Sequence, residues 1–197
     1  METRILDDRW STPEGATLRA LAWTGMAAQV LAVAALAALG RWPEWRMLTC
    51  FVAPTLLFML LPHRMPPALV LLLVAMTGLS GAGWAWNWYR ATGFDDLLHV
   101  LNPFAILLPL MVQLRRANAT VRPGTRLFVL QAAAIALLLA VGWELVEMTF
   151  LRLSWVDTAF DVLLGVMGGA LGGHAAARVI RREGIRPERG HERDPVP

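Results

Sequence analysis

Three pairs of polar side chains recur at helical spacing. Asp95 and His99 stand four residues apart, Glu144 and Glu147 three apart, and Asp157 and Asp161 four apart. On a helix each spacing puts both members on one face. Asp, Glu and His are hard-to-intermediate metal ligands. A carboxylate-rich set with one imidazole suits a divalent metal ion: Mg²⁺, Ca²⁺ or Mn²⁺, and Zn²⁺ more weakly. Paired carboxylates can instead share a proton and serve in proton transfer. Asp96 lies beside Asp95, and Arg90 and Arg152 sit in adjoining connections. With an arginine close by, such a site can grip a phosphate or carboxylate head group.

A purely structural reading competes with these. Asp95, Asp96 and Asp157 fall at expected helix starts, where capping and the helix dipole favour acids. That reading does not account for Glu144 and Glu147, which close a helix at the end where the dipole disfavours them. The remaining candidates are weaker. His63 and His191 fall in polar segments and His174 near the end of the last apolar stretch. Gly165/Gly169 and Gly168/Gly172 form small-xxx-small pairs that read as close helix packing. As a phosphate loop they fail, since no strand precedes them and no Lys follows. No Ser/His/Asp arrangement suggests a nucleophile, and the nine Met residues read as apolar filler.

The elements that must carry these pairs are legible from composition. Of 197 residues, 56% are apolar and 17% charged, with a mean hydropathy of +0.49. A disordered chain is excluded, and an ordinary soluble domain does not fit. One cysteine, Cys50, leaves no internal disulfide, thiolate cluster or redox pair. Apolar runs near the length of a bilayer span cover 18–39, 47–61, 68–88, 97–114, 127–150 and 158–180. The expected fold is an all-α, polytopic transmembrane bundle of about six spans. Residues 1–17 form a polar leader and 181–197 a charged, disordered tail; no second domain or internal repeat stands out. Ser11-Thr12-Pro13-Glu14 carries a helix-start signal, and 41–46 reads as an interfacial turn. Ala35-Leu36-Ala37 resembles a signal-peptidase site. The apolar run is too long for a signal peptide and its leader holds as many acids as bases, so an uncleaved first span is expected.

Every basic residue is Arg; there is no Lys. These arginines fall between apolar runs or in the tail, so the high isoelectric point is no nucleic-acid footprint. Fourteen lie on the side of the termini and four on the other. That bias places both termini in the cytoplasm. Trp42, Trp45, Trp84, Trp86, Trp88, Trp143 and Trp155 cluster near the opposite face, as an aromatic belt would. The three polar pairs share that depth. A carboxylate in hydrocarbon costs about 2.5–3.5 kcal/mol on the gentler scales, which argues for pairs turned inward to one outward-opening cavity.

In this order the residues resemble a family. Asp95-x-x-x-His99, then Glu144-x-x-Glu147, Arg152, and Asp157-x-x-x-Asp161 running into Gly165, Gly168 and Gly169 are similar to the VanZ-like and YjdF-like bacterial membrane proteins. The likeness covers about residues 90–175. It departs from the VanZ pattern in Asp96, where a basic residue is common, in Glu147, where Gln is common, and in Asp161, where Asn is common. The more acidic set lies nearer the YjdF-like pattern. The resemblance implies an inner-membrane location and an envelope role, and no settled reaction.

The leading expectation is a bacterial inner-membrane protein with an outward acidic pocket for a cation or a polar head group. Its partners are then the lipid bilayer and a lipid head group or cell-envelope component, not nucleic acid. A small proton-coupled transporter and a non-enzymatic membrane scaffold are the alternatives. A lipid-phosphate hydrolase is a minor one, since no nucleophile is visible.

Overall fold

The helix-start signal at Thr12 is used as written. The Thr12 side chain accepts a hydrogen bond from the Gly15 amide at 3.1 Å, Pro13 opens the first turn, and Glu14 follows. The helix then runs unbroken into the first apolar stretch. A computed structural model describes residues 12–60, 65–91, 93–149 and 154–186. Among these the chain is all-helical: α1 (Pro13–Ala38), α2 (Trp42–Leu60), α3 (Pro67–Ala85), a 3₁₀ turn (Trp88–Arg90), α4 (Phe94–Arg116), α5 (Arg126–Glu147) and α6 (Trp155–Glu183).

Two boundaries differ from the sequence reading. The segment 41–46 is not a turn: α2 begins at Trp42, and the Arg41 guanidinium holds Glu44 at 2.5 Å across its first turn. Pro43 is harmless there because a first-turn residue needs no amide hydrogen. The gain lengthens α2 to 19 residues, about 28 Å at 1.5 Å per residue. At the other end, Arg181 and Arg182 belong to α6, not to a tail. That helix stops at Gly184, whose φ of +61° is the left-handed cap glycine tolerates best. The polar leader before Thr12 and the tail beyond Arg186 lie outside the described residues.

Among the described residues, five helices are long and apolar enough to cross a membrane. The composition of α2 is interrupted by Glu44, Arg46 and Pro54. Its packing nonetheless aligns it with the other five. Gly81 of α3 faces Leu48 of α2, and Thr77 of α3 bonds Thr55 of α2 at 2.8 Å between hydroxyls, so the two run antiparallel. The α1 helix runs parallel to α3: Gly25 lies against Val74 and, one turn on in both, Gln29 lies against Gly78, with the Gln29 amide donating to the Val74 carbonyl at 2.9 Å. Ser80 donates to Asn102 at 3.0 Å and ties α3 to α4. Directions alternate through all six helices, so α1 starts and α6 ends at the same end of the bundle. The protein is a multi-pass membrane bundle.

The second half is closely packed because α6 is glycine-rich on two faces. A methyl group added at Gly168 would overlap the Val100 carbonyl of α4, and one at Gly169 the Ala136 methyl of α5. Small residues let backbones meet where larger ones would hold them apart. On α5 the buried residues fall every fourth position: Phe128, Ala132, Ala136, Ala140 and Glu144. They face Gly173, Gly169 and Gly165 of α6 in reverse order.

Candidate functional site

That glycine–alanine register decides where the acids go. One turn beyond Ala140 on α5 is Glu144; one turn before Gly165 on α6 is Asp161. Since Ala140 and Gly165 touch, the two carboxylates come to the same level. On α4, Gly165 also approaches the His99 carbonyl and the Pro103 ring, at 3.9 and 3.8 Å from a methyl built on it. His99 therefore completes the third side.

The imidazole is the hub. Its Nδ1 lies 3.9 Å from Glu144 Oε1, and its Nε2 lies 3.5 Å from Asp95 Oδ1 and 3.9 Å from Asp161 Oδ2. Burial grades sharply across the group. The side chains of Glu144, Asp161 and His99 are 3%, 7% and 10% exposed, whereas that of Asp95 is 46% exposed. Asp95 thus marks the mouth and Glu144 the floor. Glu147, half-buried and one turn nearer the end of α5, joins the set: one donor atom each from His99, Glu144 and Glu147 lie within 4.8 Å of one another.

The floor is chemically incomplete. Both Glu144 carboxylate oxygens are buried and neither makes a hydrogen bond of good geometry among the described residues; the hydroxyl of Thr158 on α6 lies beside the carboxylate and is buried with it. Burying a carboxylate is costly unless it is paired and hydrogen-bonded. One imidazole cannot balance three or four carboxyl groups even when it carries a proton, so the cluster needs added protons or a cation.

A divalent cation fits the donor set. Ions with bonds of about 2.1 Å hold their donors at most about 4.2 Å apart, so 4.8 Å closes with a sub-ångström adjustment of flexible carboxylates. Glu144 and Glu147 would supply oxygens, His99 a ring nitrogen, and Asp161 a further oxygen. The proline at 103 adds a second feature, since it has no amide hydrogen to give the His99 carbonyl four residues back. The helix is thereby loosened next to the hub.

No family model, curated protein or solved structure matches this chain. The site therefore rests on its own geometry.

Not every candidate enters the cluster. Asp157 is exposed in the first turn of α6, where its amide donates to the Ser154 hydroxyl at 3.1 Å. Asp96 is exposed in the first turn of α4. Both serve helix starts, as the capping rule expects. Arg152 and the Arg90 side chain lie outside the described residues. His174 is exposed at the opposite end of the bundle.

Tyr89 is a neighbour of the cluster that no spacing in the sequence marks. It packs edge-on to Trp84 and Phe94, with centroids 6.0 and 5.5 Å away, and donates to the Ser80 carbonyl at 3.4 Å. Burial, then the negative charges of Asp95 and Glu147, push its phenol well above the ordinary tyrosine range. It stays a neutral wall beside the acids. A signal was present for the shared level of the acids: alanines at 132, 136 and 140 lead into Glu144 at an unbroken four-residue interval.

Proposed function

We propose that this protein binds a divalent cation at the His99 centre, through Glu144, Glu147, Asp161 and the imidazole, with Asp95 at the mouth. The observation that carries the proposal is Glu144, a carboxylate 3% exposed, with no well-formed hydrogen bond to either oxygen among the described residues and an imidazole nitrogen 3.9 Å away. The arginine bias and the belt of tryptophans support an orientation with both termini in the cytoplasm and the pocket opening outward. The resemblance to VanZ-like and YjdF-like proteins supports a bacterial inner membrane and an envelope role.

A head-group ligand gains less support, because it would draw on Arg90 and Arg152, for which the described residues give no side-chain geometry. A proton-coupled transporter gains less still. Below Glu144 the buried stripe of α5 is Ala140, Ala136, Ala132 and Phe128, and α6 opposes it with glycines. Nothing on that seam offers a polar relay. A scaffold held by ion pairs would set its charges in close contact, whereas the Glu144 carboxylate stands 3.9 Å from the His99 imidazole with no well-formed hydrogen bond.

The test is elemental analysis of the detergent-purified full chain, followed by isothermal titration with Mn²⁺, Zn²⁺, Mg²⁺ and Ca²⁺. Near-stoichiometric binding that is lost in Glu144→Gln and Asp161→Asn is expected. Binding of equal strength in both variants would refute the proposal.

A further inference from the structure

We infer a second site, for a phosphate group, at the end of the bundle opposite the His99 cluster. The loop before α5 and the last turns of α6 border an open cleft of about 180 Å³, lined by Gly124, Thr125, Arg126, Val129, His174 and Arg181. Two arginines and a histidine, all exposed, thus border one small open cleft. Neither Arg126 nor Arg181 is engaged in an ion pair among the described residues. Like charges gathered without a counter-ion repel, and a bound anion offsets that repulsion.

The backbone is shaped for the same charge. Gly124 has a φ of +89°, and a methyl built on it would lie 2.5 Å from Arg181 Nη1. The missing side chain is what lets the guanidinium lie over the start of α5. There the Thr125 hydroxyl accepts from the Phe128 amide at 3.3 Å. The amides of Arg126 and Leu127 still have no carbonyl one turn back, as in any first helical turn. Val129 and Ala177 give the cleft an apolar side. Because α4 ends at Arg116, α5 begins at Arg126 and α6 ends at Glu183, the cleft sits at the rim of the spanning region. A phosphate ester bearing an apolar tail matches that combination, either as the head group of an anionic phospholipid or as a free phosphate compound.

The experiment uses the full chain in detergent. Native mass spectrometry counts retained phosphatidylglycerol against phosphatidylcholine, and a parallel titration uses inorganic phosphate without lipid. Arg126→Gln and Arg181→Gln should each weaken phosphatidylglycerol or phosphate binding about fivefold, and together about twenty-five-fold. Arg122→Gln, on the same loop but outside the cleft, should change neither. Arginine dependence confined to phosphatidylglycerol identifies a lipid head group, and equal dependence with inorganic phosphate identifies a free phosphate ligand; either supports the site. Should the double variant fail to fold, Val129→Trp fills the cleft at unchanged charge and should displace the ligand. Unchanged affinity in the double variant or in Val129→Trp, or an equal loss in Arg122→Gln, overturns the inference.

Discussion

Replacing Glu144 with Gln separates a cation site from a set of structural ion pairs, because the two readings predict opposite signs. The substitution keeps the side chain's volume and removes its charge. In the ion-free protein Glu144 is 3% exposed, its oxygens lack a well-formed hydrogen bond, and its ion-pair partner His99 stands 3.9 Å away, so its charge costs more in desolvation than the pair returns. Loss of that charge should leave the melting temperature of the ion-free protein unchanged or raise it. The cation response should move the other way. At an ion concentration of 100 times Kd, binding stabilises the wild type by about 2.7 kcal/mol. For a chain of this length that corresponds to about 5–10 °C in melting temperature. With one of the buried donors gone, the same concentration should give almost no shift. The assay is thermal unfolding of purified protein, followed by intrinsic tryptophan fluorescence, with chelator and then with each ion. A Glu144→Gln protein that melts several degrees lower in chelator would refute the reasoning, for the carboxylate would then be holding helices together. A full ion-induced shift in the variant would refute it equally.

Other outcomes follow from the same geometry. Gly168→Ala should destabilise the bundle by about 1–3 kcal/mol in thermal unfolding, because the new methyl meets the Val100 carbonyl, and it should weaken ion binding by moving α6 relative to His99. Asp157→Asn and Asp96→Asn, both exposed, should change stability by no more than about 0.5 kcal/mol and leave ion titrations unaltered. Tyr89 is the sole tyrosine, so tyrosinate absorbance reports it alone. Its midpoint should lie above the usual value of about 10, and Asp95→Asn should lower it. Because the raised value favours the neutral phenol in the folded state, its contribution to stability is complete below about pH 10 and is lost as the pH rises beyond. An ordinary midpoint, insensitive to Asp95, would count against a half-buried Tyr89 beside the acids.

Much of this architecture follows from the order of residues. Long apolar stretches with almost no charge leave the backbone one way to satisfy its hydrogen bonds, so the helices and their approximate number are legible locally. Helix starts are equally local: Thr12, Thr125 and Ser154 each cap through a hydroxyl only three residues away. The pairing of Asp95 with His99 on one face follows from helical periodicity alone. Residues 41–46 were misleading because charged and aromatic residues mark an interface, and an interface can lie on the first turn of a helix as well as before it.

What only the tertiary structure decided is which acids meet. Asp157 and Asp161 have the same residue type and neighbouring positions, yet one is exposed and the other buried against His99. The difference lies in the rotation of α6, and that rotation is set by Gly165, Gly168 and Gly169 finding Ala140, Val100 and Ala136 on two other helices. Sequence spacing fixes angles within one helix; it carries no information about the angle between helices, which comes from contacts between residues far apart in the chain. For the same reason the grading from the half-exposed Asp95 to the buried Glu144, and the gathering of Arg126, His174 and Arg181 around one cleft, belong to packing rather than to any motif.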